Sequence, residues 1–192
     1  MYRAPDGRLI SFPALEEGEE HYDRAERLTL IRDEHGYSIR VANTTQHTYR
    51  FRDVGRPNDE HVLVSITDSI GNGLRFLYDR SGRLVEIRDT AERSFELVYD
   101  RNDRILALTA PHPDDPSRRF TVVAYAYDTE GNLVEVVDAL GARATYRYDG
   151  HLLVEEADRN GLRFYFQYDG KDEHARCLRT WGDGGIYDHK LT

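Results

Sequence analysis

A tyrosine followed directly by an aspartate recurs at Tyr22, Tyr78, Tyr99, Tyr127, Tyr148, Tyr168 and Tyr187, and from Tyr78 onward the intervals are 21, 28, 21, 20 and 19 residues. A period near twenty marks one supersecondary unit repeated, and such a unit buries its apolar face only by stacking on its neighbours. Between the pairs the same phrase returns as "GRLVEIRDTAERSFELVYD", "GNLVEVVDALGARATYRYD" and "GHLLVEEADRNGLRFYFQYD". The 28-residue interval contains an insertion, "APHPDDPSRR", whose three prolines and acidic pair suit a loop.

Each phrase reads as two short runs separated by a turn. The second run alternates: Leu74, Phe76 and Tyr78; Phe95, Leu97 and Tyr99; Ala144, Tyr146 and Tyr148; Phe164, Phe166 and Tyr168, with Arg75, Glu96, Arg147 and Gln167 between them. Alternation with aromatic and β-branched residues predicts half-buried strands, and makes the tyrosine the last inward residue of its strand. The aspartate then belongs to the turn. Asp-x-x-Gly follows the tyrosine at Asp79 to Gly82 and Asp128 to Gly131, and stands mid-repeat at Asp68 to Gly71, Asp138 to Gly141 and Asp158 to Gly161. Aspartate opening a type I turn accepts local backbone hydrogen bonds, and glycine at the fourth place takes the left-handed conformation that closes a bulged hairpin.

Two such turns per repeat predict an all-β chain, a continuous meander of antiparallel hairpins forming a curved or spiralling sheet. Residues 61–192 are expected to be the repeat sheet, with the loop insertion at 110–119. Residues 1–60 are read as an irregular lead-in with weaker hairpins, and "DVGRPND" at 53–59 as the separating loop. No helix is clearly written, since the best candidate, "ALEEGEEHYDRAERLTLI", is broken by Gly18.

Composition narrows the function. Charged residues make up 32% and hydrophobic ones 39%, which suits a thin, two-faced sheet better than a thick globule. A net charge of −9 argues against a nucleic-acid partner, which needs a basic surface. One cysteine, Cys177, excludes an internal disulfide framework and a multi-thiolate zinc site. No stretch is long and apolar enough to span a membrane, and "MYRAPDGRLISFPALEEGEE" lacks the apolar core of a secretory signal, so export would be driven by something outside this sequence.

These repeats, with a consensus near G-x-L-x-x-V-x-D-x-x-G-x-x-x-x-Y-x-Y-D and clearest across 71–170, resemble the Rhs, or YD-repeat, proteins. "FPALEEGEEHYD" and "RTWGDGGIYDHKL" also resemble the early core of bacterial Rhs polypeptides. The pattern is departed from where Glu92 and Asp103 replace turn glycines and where the 110–119 segment lengthens a repeat. The resemblance implies a β-strip that in long members spirals into a hollow shell around a C-terminal toxin domain. It also implies export for bacterial competition, often through type VI secretion, with animal teneurins using a related shell. The family's self-cleaving aspartate motif is not recognisable here, so no catalytic residue is carried over. About ten strands at ~4.8 Å spacing span only about 50 Å. This chain is therefore expected to be a wall segment of a longer polypeptide, cytoplasmic before export, with an edge strand open to self-association.

Other chemistry is weighed residue by residue. The Asp-x-x-Gly turns lack the ligand density of calcium-binding repeats, the eight histidines form no close pair, and no nucleophile elbow or phosphate loop is written. No cofactor, metal or catalytic residue is expected. Cys177 reads as a structural thiol. "TWGDGG" breaks the repeat, and Trp181 there is read as a cap on the inner face beside a wide turn, or as a sugar-stacking ligand contact. The expected structural ladder is Tyr78, Tyr99, Tyr127, Tyr148 and Tyr168, held by the turn residues Asp79, Gly82, Asp128, Gly131, Asp138, Gly141, Asp158 and Gly161. The expected function is a non-enzymatic shell segment whose partners are neighbouring repeats, a C-terminal toxin cargo and secretion-apparatus proteins. The alternatives are a free-standing surface or carbohydrate-binding module and, more remotely, a β-propeller.

Overall fold

A computed structural model describes residues 1–42, 46–55 and 60–191. The chain is all-β and antiparallel, with no α-helix among the described residues. It forms two compact units, residues 1–96 and 97–192. The division that the sequence suggests at residue 60 falls inside the first unit. Of the separating loop expected at 53–59, residues 56–59 lie outside the described residues.

In the first unit a two-stranded hairpin, β1 (Tyr2–Arg3) and β2 (Leu9–Ile10), precedes a sheet in which each strand pairs with the one before it in the chain. That sheet holds β3 (Glu20–Asp23), β4 (Leu28–Asp33), β5 (Gly36–Val41), β6 (Thr48–Asp53), β7 (His61–Thr67), β8 (Gly73–Tyr78), β9 (Leu84–Asp89) and the start of β10 (Ser94–Tyr99). The segment read as an irregular lead-in is the best-packed part of the unit. Ala4, Ile10 and Leu15 from the N-terminal hairpin and its exit lie on Leu28, Leu30 and Ile39, flanked by Tyr2, Phe12, Tyr49 and Phe51. Ile39 is only 1% exposed. Backbone and side chain fasten this cover down: Gly18 N–H donates to Arg32 O at 2.9 Å, Arg32 N–H to Glu19 O at 3.0 Å and Arg32 Nη1 to Leu15 O at 2.5 Å. The apolar periodicity of β4 and β5 thus finds a second layer, and each large side chain so covered contributes roughly 1.5–3 kcal/mol.

The second unit is a meander of β11 (Ile105–His112), β12 (Asp115–Tyr127), β13 (Leu133–Asp138), β14 (Arg143–Asp149), β15 (Leu152–Ala157), β16 (Arg163–Tyr168), β17 (Cys177–Gly182) and β18 (His189–Lys190). The 110–119 insertion is not a loop. It lengthens the β11–β12 hairpin, which turns at residues 113–114, and register shifts beside Thr109 and His112 absorb the irregularity. Strand bulges and edges tolerate proline because no ladder donor is required there. Arg119 also clamps the hairpin, its Nε donating to Thr109 Oγ1 and its Nη2 to Thr109 O, both at 3.0 Å. Among the described residues of this unit the buried apolar side chains are Ala110 and Ala157. Among the described residues of this unit no element lies over the sheet, and β14 shows the expected alternation: Ala144, Tyr146 and Tyr148 half-buried, Arg143, Thr145, Arg147 and Asp149 exposed.

Candidate functional surface

Cross-strand neighbours share a face, so the registers sort the side chains into two surfaces. In the second unit Tyr125 is opposite Val136, which is opposite Ala144, and two residues along Tyr146 is opposite Glu156, which is opposite Phe164. By strand alternation Tyr127, Tyr148, Phe166 and Tyr168 lie on this same face. The other face carries Arg147 opposite Glu155 and, further across, Tyr165 and Trp181. Its charges are paired: Arg147 Nη2 with Glu155 Oε2 at 2.7 Å, Arg163 with Glu155, and Arg143 with Glu135. Such exposed pairs add little stability individually. They make one face a lattice of paired charge and leave the other a surface of tyrosine, phenylalanine and valine interrupted by Glu156.

The first unit repeats the division. Ile39, Tyr49, Ile66 and Leu74 follow one another across β5 to β8, and Phe76, Ile87 and Phe95 continue the same face across β8 to β10. Arg75 and Arg88 stand opposite each other on the reverse side, where Arg88 pairs with Glu86 at 2.6 Å and Arg75 with Glu92. The N-terminal cover therefore occupies the apolar face over β4 to β6.

The ladder tyrosines sit at strand ends. Tyr78, Tyr99, Tyr127 and Tyr168 close β8, β10, β12 and β16, Tyr148 is next to last in β14, and all five are half-buried. The hydroxyls of Tyr78 and Tyr127 reach the neighbouring strand. Tyr78 Oη donates to Leu63 O at 2.7 Å and Tyr127 Oη to Ile105 O at 3.0 Å. A phenylalanine could fill the same surface but would leave that carbonyl without the bond. Burial raises the phenol pKa of Tyr148 and Tyr168. Tyr22 and Tyr187 behave differently: they are 53% and 69% exposed, so those two Tyr-Asp pairs do not extend the ladder.

The turns share one geometry. At Asp79 the Gly82 N–H donates to Asp79 O at 3.0 Å and the Asp79 N–H to Arg83 O at 2.8 Å, while Oδ1 accepts from the amides of Ser81 and Arg83. Asp128, Asp138 and Asp158 repeat this with Gly131, Gly141 and Gly161 at φ 94°, 83° and 84°. The Ser81 hydroxyl, then the Arg83 amide, hold the Asp79 carboxyl at about 2, and the Asn132 side chain foremost lowers that of Asp128. Glu92 and Asp103 keep the same turn with left-handed φ of 59° and 60°, so the hairpin is imposed on residues that resist it.

The residue four after the aspartate also belongs to the turn, a role beyond the aspartate and glycine of the sequence pattern. Arg83, Arg93, Arg104, Asn72 and Asn132 each reach back to the second carboxylate oxygen of Asp79, Asp89, Asp100, Asp68 and Asp128, at 2.6–3.3 Å. The signal was the recurrence of arginine or asparagine at that offset, in "DRSGR", "DTAER", "DRNDR", "DSIGN" and "DTEGN".

Trp181 does not cap the tyrosine face. It stands in β17, with only Asp183–Gly185 forming the following 3-10 turn, and faces Tyr165 on the ion-paired side. The two rings stack at 5.5 Å with planes 22° apart, and the Arg179 guanidinium lies 4.7 Å from the indole centroid. Arg179 is itself tied to Asp188 by bonds of 2.8 and 2.6 Å, and Asp183 accepts from the Tyr165 hydroxyl at 2.9 Å. The physical reason is parity: the residues between Tyr168 and Trp181 include a bulge, which the sequence alone does not reveal. Half-buried Cys177 lies opposite Tyr168, its thiol 3.5 Å from Arg179 O.

Residues 34–174 match the family model described as the teneurin YD-shell. No curated protein matches the chain. Solved structures similar to it include a Photorhabdus luminescens Tc holotoxin pore carrying a TccC3 point mutation, at 13% identity and a TM-score of 0.42, covering 88% of this chain and 12% of that one. A TcdB2–TccC3–Cdc42 structure is similar at 13% identity and 0.41, and TcdB2–TccC3 without its hypervariable C-terminal region at 13% and 0.38, each covering 85% of this chain and 12% of the other. The chain thus spans 12% of the length of these solved chains.

Proposed function

This chain belongs to the teneurin YD-shell family, and we propose that it is a non-enzymatic wall segment of a larger Rhs-type polypeptide that encloses a C-terminal toxin passenger. The observation that carries this reading is the unlike chemistry of the two sheet faces in the second unit. The ion-paired face suits water, and the tyrosine face suits a passenger polypeptide. Strand pairing within each unit supplies containment, since successive hairpins of a meander share paired strands. The ladder of Tyr78, Tyr99, Tyr127, Tyr148 and Tyr168 fixes each hairpin to its neighbour. Delivery belongs to bacterial competition, with synthesis in the cytoplasm and export by an apparatus such as type VI secretion.

The experiment is an immunoblot of producing cells with an antibody against this chain, followed by limited proteolysis of the purified product. A product several times larger than 22.3 kDa, whose C-terminal passenger resists protease until the wall is unfolded, is the expected result. A stable product near 22 kDa, or a passenger digested at once, overturns the reading.

A further inference from the structure

Two residues before the mid-repeat turn aspartate, the tyrosine face normally carries an aliphatic side chain: Ile87 precedes Asp89 and Val136 precedes Asp138. Before Asp158 the same place holds Glu156. The register leaves no doubt about its side, because Glu156 is opposite Tyr146 on one flank and Phe164 on the other, and it is half-buried. Its sequence neighbour Glu155 points to the opposite face and is held by Arg147 and Arg163. Among the described residues Glu156 has no cation.

Beside Glu156 the face is indented by a groove of about 430 Å³, floored by Val123, Val136, Ala144 and Tyr146. Asp138 and Asp158 stand at its rim. Arg159 is also there, with its guanidinium paired to Asp138 at 3.1 Å, so three carboxylates face one cation. The groove therefore joins an apolar floor to an uncompensated negative charge. A carboxylate that has no cation of its own beside an apolar surface attracts one from a partner, and the aliphatic residues at the equivalent places show that the sheet itself does not require the charge.

We propose that this groove binds an extended polypeptide segment that presents a lysine or arginine between apolar residues. The cation sits against Glu156, and the flanking apolar side chains lie on Val136, Ala144 and Tyr146. The inference rests on the reading that the tyrosine face meets a passenger, and it names which stretches of a passenger lodge there.

The test is fluorescence anisotropy of the whole chain, at ~50 mM salt to limit screening, with labelled short peptides. The peptides share one apolar sequence and differ only in a central Lys, Gln or Glu. The lysine peptide is expected to bind roughly fivefold to tenfold tighter than the glutamate peptide. Glu156→Gln, which keeps the side-chain shape, should abolish that preference, and Glu156→Lys should invert it, with melting curves checking that each variant folds. Equal binding of the lysine and glutamate peptides, or a preference that survives Glu156→Gln, overturns the role of Glu156 while leaving the face a polypeptide surface. Failure of every peptide to bind overturns the groove, whereas the passenger-protection assay judges the wall reading separately.

Discussion

The sheet face over β4 to β6 and the sheet face of the second unit are written in the same strand grammar but have different energetics. In the first, the N-terminal hairpin and residues 10–15 bury Leu28, Leu30 and Ile39. In the second, Tyr125, Val136, Tyr146 and Phe164 occupy the corresponding kind of face and remain half-exposed. Alternating patterning decides which side chains share a face. Whether that face becomes a core depends on a second layer, because hydrophobic stabilisation scales with area removed from water. A covered face is a folding core, and an uncovered one is available for recognition.

Replacement of side chains on the two faces gives the largest expected contrast. Ile39→Ala should cost about 3 kcal/mol by chemical denaturation, and Val136→Ala about 1 kcal/mol or less, because its site is already open to solvent. Equal losses would break the contrast between covered and open faces. Next, Tyr127→Phe should cost about 1 kcal/mol through loss of the hydroxyl bond to Ile105 O. An unchanged midpoint would mean that the ladder acts through ring packing alone. A smaller gain, about 0.5–1 kcal/mol, is expected from Asp103→Gly, which relieves the left-handed strain at that turn. Destabilisation there would show that the Asp103 side chain contributes more than its backbone costs.

The pH response sharpens the picture of the turns. Asp79 is held at about 2 in the folded chain, and Asp128, Asp138 and Asp158 are also lowered. A carboxyl lowered on folding contributes fully above its unfolded value near ~4 and loses that contribution as pH falls through its folded value. The thermal midpoint should therefore stay level from neutral pH to about 4.5 and decline between roughly 4 and 2. Asp79→Asn should flatten part of that decline while lowering the plateau, and a titration identical to the parent would remove Asp79 from the account.

Much of the fold is legible in the sequence. The aspartate and glycine spacing identified the turns, since an aspartate that can cap its own hairpin and a glycine free to adopt positive φ are local, covalent properties. The alternation around Tyr146 and Tyr148 placed both on one side of a strand for the same reason. Three features were not legible. The prolines of 110–119 suggested a loop, yet bulges let the hairpin continue through them. Trp181, read as a cap on the inner face or as a ligand contact, stands on the face opposite Tyr168 because an extra residue, Leu178, in β17 changes the count. The segment 1–60, read as an irregular lead-in with weaker hairpins, holds the only multi-residue apolar core among the described residues.

By itself, then, the sequence determined the strand period, the turn chemistry and the two-sided character of the sheet, all of which depend on neighbours within a few residues. Only the tertiary structure decided which apolar face is covered, which phenol reaches which carbonyl, and that Glu156 stands uncompensated on the tyrosine face between Tyr146 and Phe164. Those outcomes rest on pairing between strands and on segments distant in the chain. A one-residue bulge is enough to move a side chain to the other face.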